Sequence, residues 1–206
     1  MYAGGGILGD ALAVPLSDTD GDGIIDSLDE YPFDPTLAFN NNTISGSNGS
    51  LAFEDLWPSM GDFDFNDLVV DYNFNPVTDV NNLVKILEIN LTVRHIGASY
   101  KNGFAFELPV AASTIESVTG SVFTSTYVNL AANGTENGSD KAIVFAFDNA
   151  WSVLDKSLTI KVVFTNPIPP ATLGTFPFNP FITVNGDRGR EVHLADKAPT
   201  SKANMS

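Results

Sequence analysis

Five aspartates within twelve residues carry the first chemistry legible in this chain. Asp18, Asp20, Asp22, Asp26 and Asp29 fall at positions 1, 3, 5, 9 and 12 of a loop, with Gly23 at position 6 and Ile24 at position 7. A calcium loop needs oxygen donors at these spacings, a sharp turn at position 6 and a backbone carbonyl at position 7. The reason is that a hard cation of this size takes about 6–8 oxygens at roughly 2.3–2.6 Å. Five carboxylates so close would otherwise repel one another. The rival reading is a solvated acidic turn, and Gly23 weighs against it. Pro15 before the loop, and Pro32 and Pro35 after it, leave no room for the helices of a helix–loop–helix site, and position 12 is Asp in place of Glu. Asp34 is a further candidate, as a ligand or as an acid behind the ligands.

A second oxygen-rich run holds Glu54, Asp55, Asp62, Asp64, Asn66 and Asp67. By the period of 2, Asp62, Asp64 and Asn66 share one side and Phe63 and Phe65 the other. Leu68 breaks that phase, which predicts a kink or bulge near Asn66–Asp67 that aims side chains at a ligand. A metal site ranks first here, ahead of a solvated acidic edge strand, with an acidic catalytic pair last.

These clusters must be positioned by β structure, because helical periodicity is hard to find. Leu68–Phe74 alternates with Leu68, Val70, Tyr72 and Phe74 on one face. Val84–Val93 sets Leu87, Ile89, Leu91 and Val93 opposite Ile86, Glu88, Asn90 and Thr92. Further strands are expected over 103–110, 117–123, 141–147, 158–165, 181–184 and 190–194. Turn signals between them, at intervals of about 8–15 residues, predict an all-β, antiparallel, jelly-roll-like β-sandwich with an N-terminal calcium-binding loop segment. The expected order is an extension over 1–16, the calcium loop over 17–36, a polar linker over 37–50 (Asn40–Ser50 is NNNTISGSNGS) and the sandwich over 51–206. Residues 176–181 (FPFNPF) are expected to be extended but not laddered.

Two resemblances add to this reading. The pattern DxDxDGxxDxxD followed by Tyr31-Pro-Phe-Asp-Pro35 resembles the thrombospondin type 3 style of calcium repeat, common in secreted and surface proteins. Leu51–Tyr72 (LAFEDLWPSMGDFDFNDLVVDY) resembles the signature of the LruC domain family of bacterial lipoproteins and surface proteins. Asn102–Val110, Ser117–Gly120, Val144–Asn149, Pro177–Phe181 and Arg188–Leu194 agree with it. The resemblance implies an exported β-rich domain that binds calcium and has no settled biochemical activity. The family's domain runs on past the Pro199–Thr200 region whereas this chain stops at Ser206, which leaves open a sandwich short of its closing strands.

Charge narrows the classes further. Residues 1–84 hold 15 acids and no Lys or Arg, while residues 85–206 hold 10 of each, so the whole net charge of −15 lies in the first part. That sign disfavours nucleic acid and anionic lipid headgroups. A hydrophobic fraction of 43% with 15 Phe argues against disorder throughout. No apolar run reaches the roughly 18–20 residues of a membrane span, and Met1–Leu16 lacks the basic start of an intact signal peptide. Zero Cys excludes disulfides and zinc–thiolate sites.

His95 and His193 read as ordinary strand residues. Trp57, Tyr100, Tyr127 and Trp151 could form a sugar-stacking platform, though packing is the first expectation for them. No nucleophile elbow, phosphate loop or dinucleotide fingerprint occurs. The sequence therefore points to a non-enzymatic calcium-binding β-sandwich, extracellular or on the outer surface of a bacterium, with a two-carboxylate hydrolase ranked lowest. Calcium ions are the expected partners. A surface glycan or protein, as for an adhesin, and copies of itself joined into a fibre by strand exchange are the alternatives.

Overall fold

Alternating side chains and Asx-type turns build the strands of this protein in pairs. The computed structural model describes residues 16–44 and 48–204. Its strands are β1 (Phe39–Asn40), β2 (Gly49–Phe53), β3 (Leu68–Thr78), β4 (Val84–His95), β5 (Gly103–Ala111), β6 (Ile115–Thr119), β7 (Lys141–Phe147), β8 (Ser157–Ile168), β9 (Asn179–Val184) and β10 (Asp187–His193). Three 3₁₀ turns accompany them, and no α-helix occurs among the described residues. In the β3–β4 hairpin, Asp79 Oδ1 accepts from Asn81 N and Leu83 N, both at 2.9 Å. Asn82 takes the left-handed conformation (φ 60°) that Asn tolerates in turns.

The strands form two antiparallel sheets. The larger has the order β1-β3-β4-β8-β6, with β2 also on β3; the smaller is β10-β9-β5-β7. Five successive connections, from β4 to β9, cross between the sheets in a jelly-roll-like winding. Phe74 is fully buried at the centre of the aromatic core, with Phe106, Phe176 and Phe178 ring centroids 5.0–5.4 Å away. Leu87, Ile89, Leu91 and Val93 face the same core, as the alternation predicts.

Three stretches differ from expectation. The supposed linker over 37–50 contributes β1 and the start of β2, both hydrogen-bonded to β3. Leu37 and Tyr31 pack on Val77 and Ile86, on the face of the larger sheet opposite the main core. The acidic head is thereby docked, with Glu30 N donating to Ala38 O at 3.0 Å and Tyr31 OH to Asn40 Oδ1 at 2.6 Å. In the 176–181 segment, Asn179–Phe181 does ladder, against β5, because Pro180 needs only one side of the strand to pair. The extension over 1–16 falls almost wholly outside the described residues.

Loop segments bond to parts of three edge strands, β6, β7 and β10. Glu136 N and Val122 N donate to Ile143 O and Ala146 O of β7, Val118 N of β6 donates to Asn133 O, and Asn204 N donates to Gly189 O of β10. These bonds occupy backbone groups that strand exchange would require.

The outer face of the smaller sheet carries a buried ion network. Arg188 lies 5.4 Å over the Phe145 and Phe181 rings and pairs with Glu136 and Glu191, whose side chains are 3% and 1% exposed. Glu191 also accepts from Thr200 N at 2.9 Å and contacts His193 Nε2 at 2.8 Å, while the His193 ring stacks on Phe181. Burial pushes the Glu191 carboxyl up, but hydrogen bonds from His193, Arg188 and Thr200 outweigh it and hold the pKa at about 2, below the ordinary 4.5. A carboxylate with a depressed folded pKa stabilises fully above the unfolded value and loses that contribution as pH falls through the folded one. Stability is therefore expected to drop by about 3 kcal/mol between pH 4.5 and pH 2 from this group. Urea unfolding across that window tests it, and Glu191→Gln should flatten the slope.

Candidate metal centres

Glycine geometry closes the first acidic loop. Gly21 and Gly23 adopt left-handed φ of 80° and 101°, a conformation open to Gly at little cost. The chain then curls so that Gly21 N and Gly23 N donate to the two carboxylate oxygens of Asp18, at 2.9 and 3.1 Å. Carboxylate oxygens of Asp18, Asp20 and Asp22 lie within 4.8 Å of one another. Asp29 is buried, its Oδ1 accepting from Tyr31 N at 2.7 Å. Asp20 Oδ2, Asp22 Oδ2 and Asp29 Oδ2 are all buried without a hydrogen-bond partner. Burial raises the pKa of Asp20, and the charges of Asp22, Asp29 and Asp18 push the same way.

The remaining residues of the loop take other places. Asp26 turns to Thr19, accepting from its N–H at 2.7 Å and its hydroxyl at 2.8 Å. Hydrogen bonds from Ser17 and Thr19 lower its pKa, so this carboxylate latches the loop. Ile24 is tied through its N–H to Asp22 Oδ1 at 2.7 Å. Asp34 accepts from Thr36 N and Oγ1 at 3.0 and 2.7 Å, in a turn of its own.

Strand register builds the second cluster. Phe53 of β2 pairs with Leu68 of β3, so the next residues outward, Glu54 and Asp67, stand side by side. Asp55 N donates to Asp67 Oδ2 at 2.8 Å across the same mouth. Between them the chain makes a loop, and residues 61–67 are not a strand. The expected period of 2 is replaced by alternate left-handed residues, Phe63 (φ 56°) and Phe65 (φ 55°). Bulky side chains rarely adopt that region, and such strain persists where surrounding structure enforces it. Asp62 and Asp64 consequently reach Glu54.

Glu54 belongs to two groups of acids. Its carboxylate lies within 4.8 Å of those of Asp55 and Asp67 in one group and of Asp62 and Asp64 in the other. It is 1% exposed, and Oε2 has no hydrogen-bond partner. Burial raises its pKa, as do the close contact with the Asp67 carboxyl and the charges of Asp67 and Asp62. Burial likewise raises Asp55, opposed by Asn102 and Arg190. Asn66 stands apart, its Nδ2 donating to Asp64 Oδ2 and its carbonyl accepting from Gly97 N at 2.9 Å. A Cβ on Gly97 would fall 1.7 Å from Asn66 Oδ1, so only Gly admits this approach. A cavity of about 620 Å³ opens over Glu54, Asp55, Asp62 and Asp67, with Tyr100 on its wall.

Two residues behind this cluster escaped sequence reasoning. Asn102, fully buried, donates through Nδ2 to Asp55 Oδ2 at 2.8 Å and accepts from Asn185 N at 3.2 Å. Arg190 Nη2 donates to Asp55 O at 3.0 Å. Both come from the smaller sheet and its loops, and no local spacing announces them.

The four aromatics considered as a sugar platform take different environments. Tyr127 OH bonds Asp148 O and Thr183 Oγ1 at 2.9 and 2.8 Å, and its pKa is pushed up to about 12, chiefly by burial. Trp151 Nε1 donates to Tyr100 O at 3.2 Å. Trp57 lies on the second acidic loop, half-exposed.

Residues 81–206 match the model of a family described as a domain of unknown function (DUF4842). Both acidic clusters precede the matched residues. No curated protein and no solved structure matches the chain.

Proposed function

We propose that this chain, which belongs to the DUF4842 family, is a non-enzymatic calcium-binding β-sandwich of a bacterial surface, in which the ions fasten the acidic N-terminal segment to the sheets. One observation carries the reading. Carboxylate oxygens of Asp20, Asp22, Asp29 and Glu54 are buried without a hydrogen-bond partner, and a buried unpaired charge is costly unless a cation or proton joins it. All-oxygen donors in flexible loops suit calcium over softer metals. The first ion would take Asp18, Asp20, Asp22 and Asp29 with the Ile24 carbonyl, while Asp26 latches the loop. The second cluster would use Glu54, Asp55, Asp62, Asp64 and Asp67.

The LruC-like signature and the thrombospondin type 3-like loop support export, where calcium is millimolar and extracellular modules bind at about 10⁻⁴–10⁻³ M. With no Cys in the chain, bound ions would serve as the covalent staples do elsewhere. Two sites at about ten times their dissociation constants would each add about 1.4 kcal/mol, which in a protein of this size raises the thermal midpoint by roughly 5–10 °C. Melts in calcium and in EGTA test this. An unchanged midpoint would sink the proposal.

A further inference from the structure

We infer that Glu54 bridges two calcium ions, an inner one shared with Asp55 and Asp67 and an outer one shared with Asp62 and Asp64; this rests on calcium being the cation of the second cluster. Two oxygens bound to one calcium stand no further apart than twice the metal–oxygen distance, about 4.6–5.2 Å. The five acids divide at that limit. Glu54, Asp55 and Asp67 form one set with oxygens within 4.8 Å of one another, Glu54, Asp62 and Asp64 form a second, and only Glu54 belongs to both.

The surroundings of Glu54 suit a shared ligand. It is buried, and its Oε2 has no hydrogen-bond partner. Its Oε1 lies against Gly61, the residue before Asp62; a Cβ at Gly61 would fall 2.3 Å from that oxygen, so only Gly lets the loop come this close. The inner set is fixed and enclosed. Asp55 and Asp67 are 2% and 7% exposed, and Asp55 Oδ2 and Asp67 Oδ2 accept from Asn102 Nδ2 and Asp55 N, each at 2.8 Å. In the outer set Asp62 and Asp64 are exposed, and Asn66 Nδ2 steadies Asp64. Charge asks for the same number of ions. Of the −5 on these five carboxylates, one calcium leaves −3 and two leave −1, and uncompensated charge is costly where it is buried. Arg190, donating to Asp55 O at 3.0 Å, adds a positive charge beside the inner set. Three carboxylates per ion leave positions for water among the 6–8 oxygens that calcium takes, and the cavity of about 620 Å³ has room for it. The inner ion fastens the end of β2 to the start of β3, and the outer one pins the loop between them.

Equilibrium dialysis of the full chain against millimolar calcium, in enough salt to screen loose surface binding, counts the ions. Expected are three per chain in the parent, two in Asp62→Asn, which loses the outer ion, and one in Glu54→Gln, which keeps that of the first loop. Asp62 is exposed on a loop, so its variant should fold as the parent does and still melt higher in calcium than in EGTA. Two ions in the parent would mean that the second cluster holds one, with a proton on Glu54 in place of the other. One ion left in Asp62→Asn would mean that all five acids serve a single ion, and two or more kept in Glu54→Gln would mean that Glu54 bridges nothing. Each of these results overturns the bridge and leaves calcium at the cluster. A parent that binds one ion or none, unchanged in number by Glu54→Gln, defeats the calcium reading of the cluster itself.

Discussion

In Glu54→Gln, the part of the calcium response that belongs to the second acidic cluster disappears, while the thermal midpoint in EGTA rises above that of the parent protein. The two effects have opposite signs because one carboxylate serves two states. With an ion present, Glu54 is the one acid common to both groups of carboxylates, and losing its charge should weaken the ion by about a hundredfold. Without an ion, Glu54 is a buried acid against Asp67 and Asp62 whose burial already favours the protonated form. The isosteric amide removes that repulsion and retains the shape. Calcium titrations by calorimetry and melts in EGTA check both halves. A variant that is less stable in EGTA and titrates calcium as before would count against the assignment.

Arg188→Ala should cost about 3–5 kcal/mol, the largest loss expected from a single side chain outside the apolar core. Its removal strands Glu136 and Glu191, 3% and 1% exposed, without their cation. The guanidinium also covers Phe145 and Phe181, so packing is lost along with charge. Denaturant unfolding at neutral pH measures the cost. A second change, Glu136→Gln in the Arg188→Ala background, should recover part of it, which separates stranded charge from lost packing.

What could be read from sequence followed the range of the interaction. Leu68–Phe74 and Val84–Val93 announced themselves, because alternation is local and the Asp79–Leu83 turn closes the hairpin within a few residues. The first acidic loop was equally open, since Gly23 and the Asp spacing are properties of one short segment. β1 and β2 were hidden: their Asn, Gly and Ser content imitates a linker, and their pairing partner β3 lies up to about forty residues away. The 61–67 loop misled differently, because left-handed Phe63 and Phe65 bring Asp62 and Asp64 round by backbone strain that side-chain type does not encode. Asn102 and Arg190 could not have been found by spacing, as they meet Asp55 only after the two sheets have packed.

β1 and β2 lie along one edge of β3, at opposite ends of it. Tension applied through the N-terminal side of the chain would therefore reach the sandwich along a series of short grips. The acidic head comes first, then the two-residue ladder of β1, then the five-residue ladder of β2, and only afterwards the aromatic core. The grips nearest the pull are the weakest in backbone bonds and the richest in carboxylates. Under load the N-terminal segment would peel stepwise and extend before the sheets part.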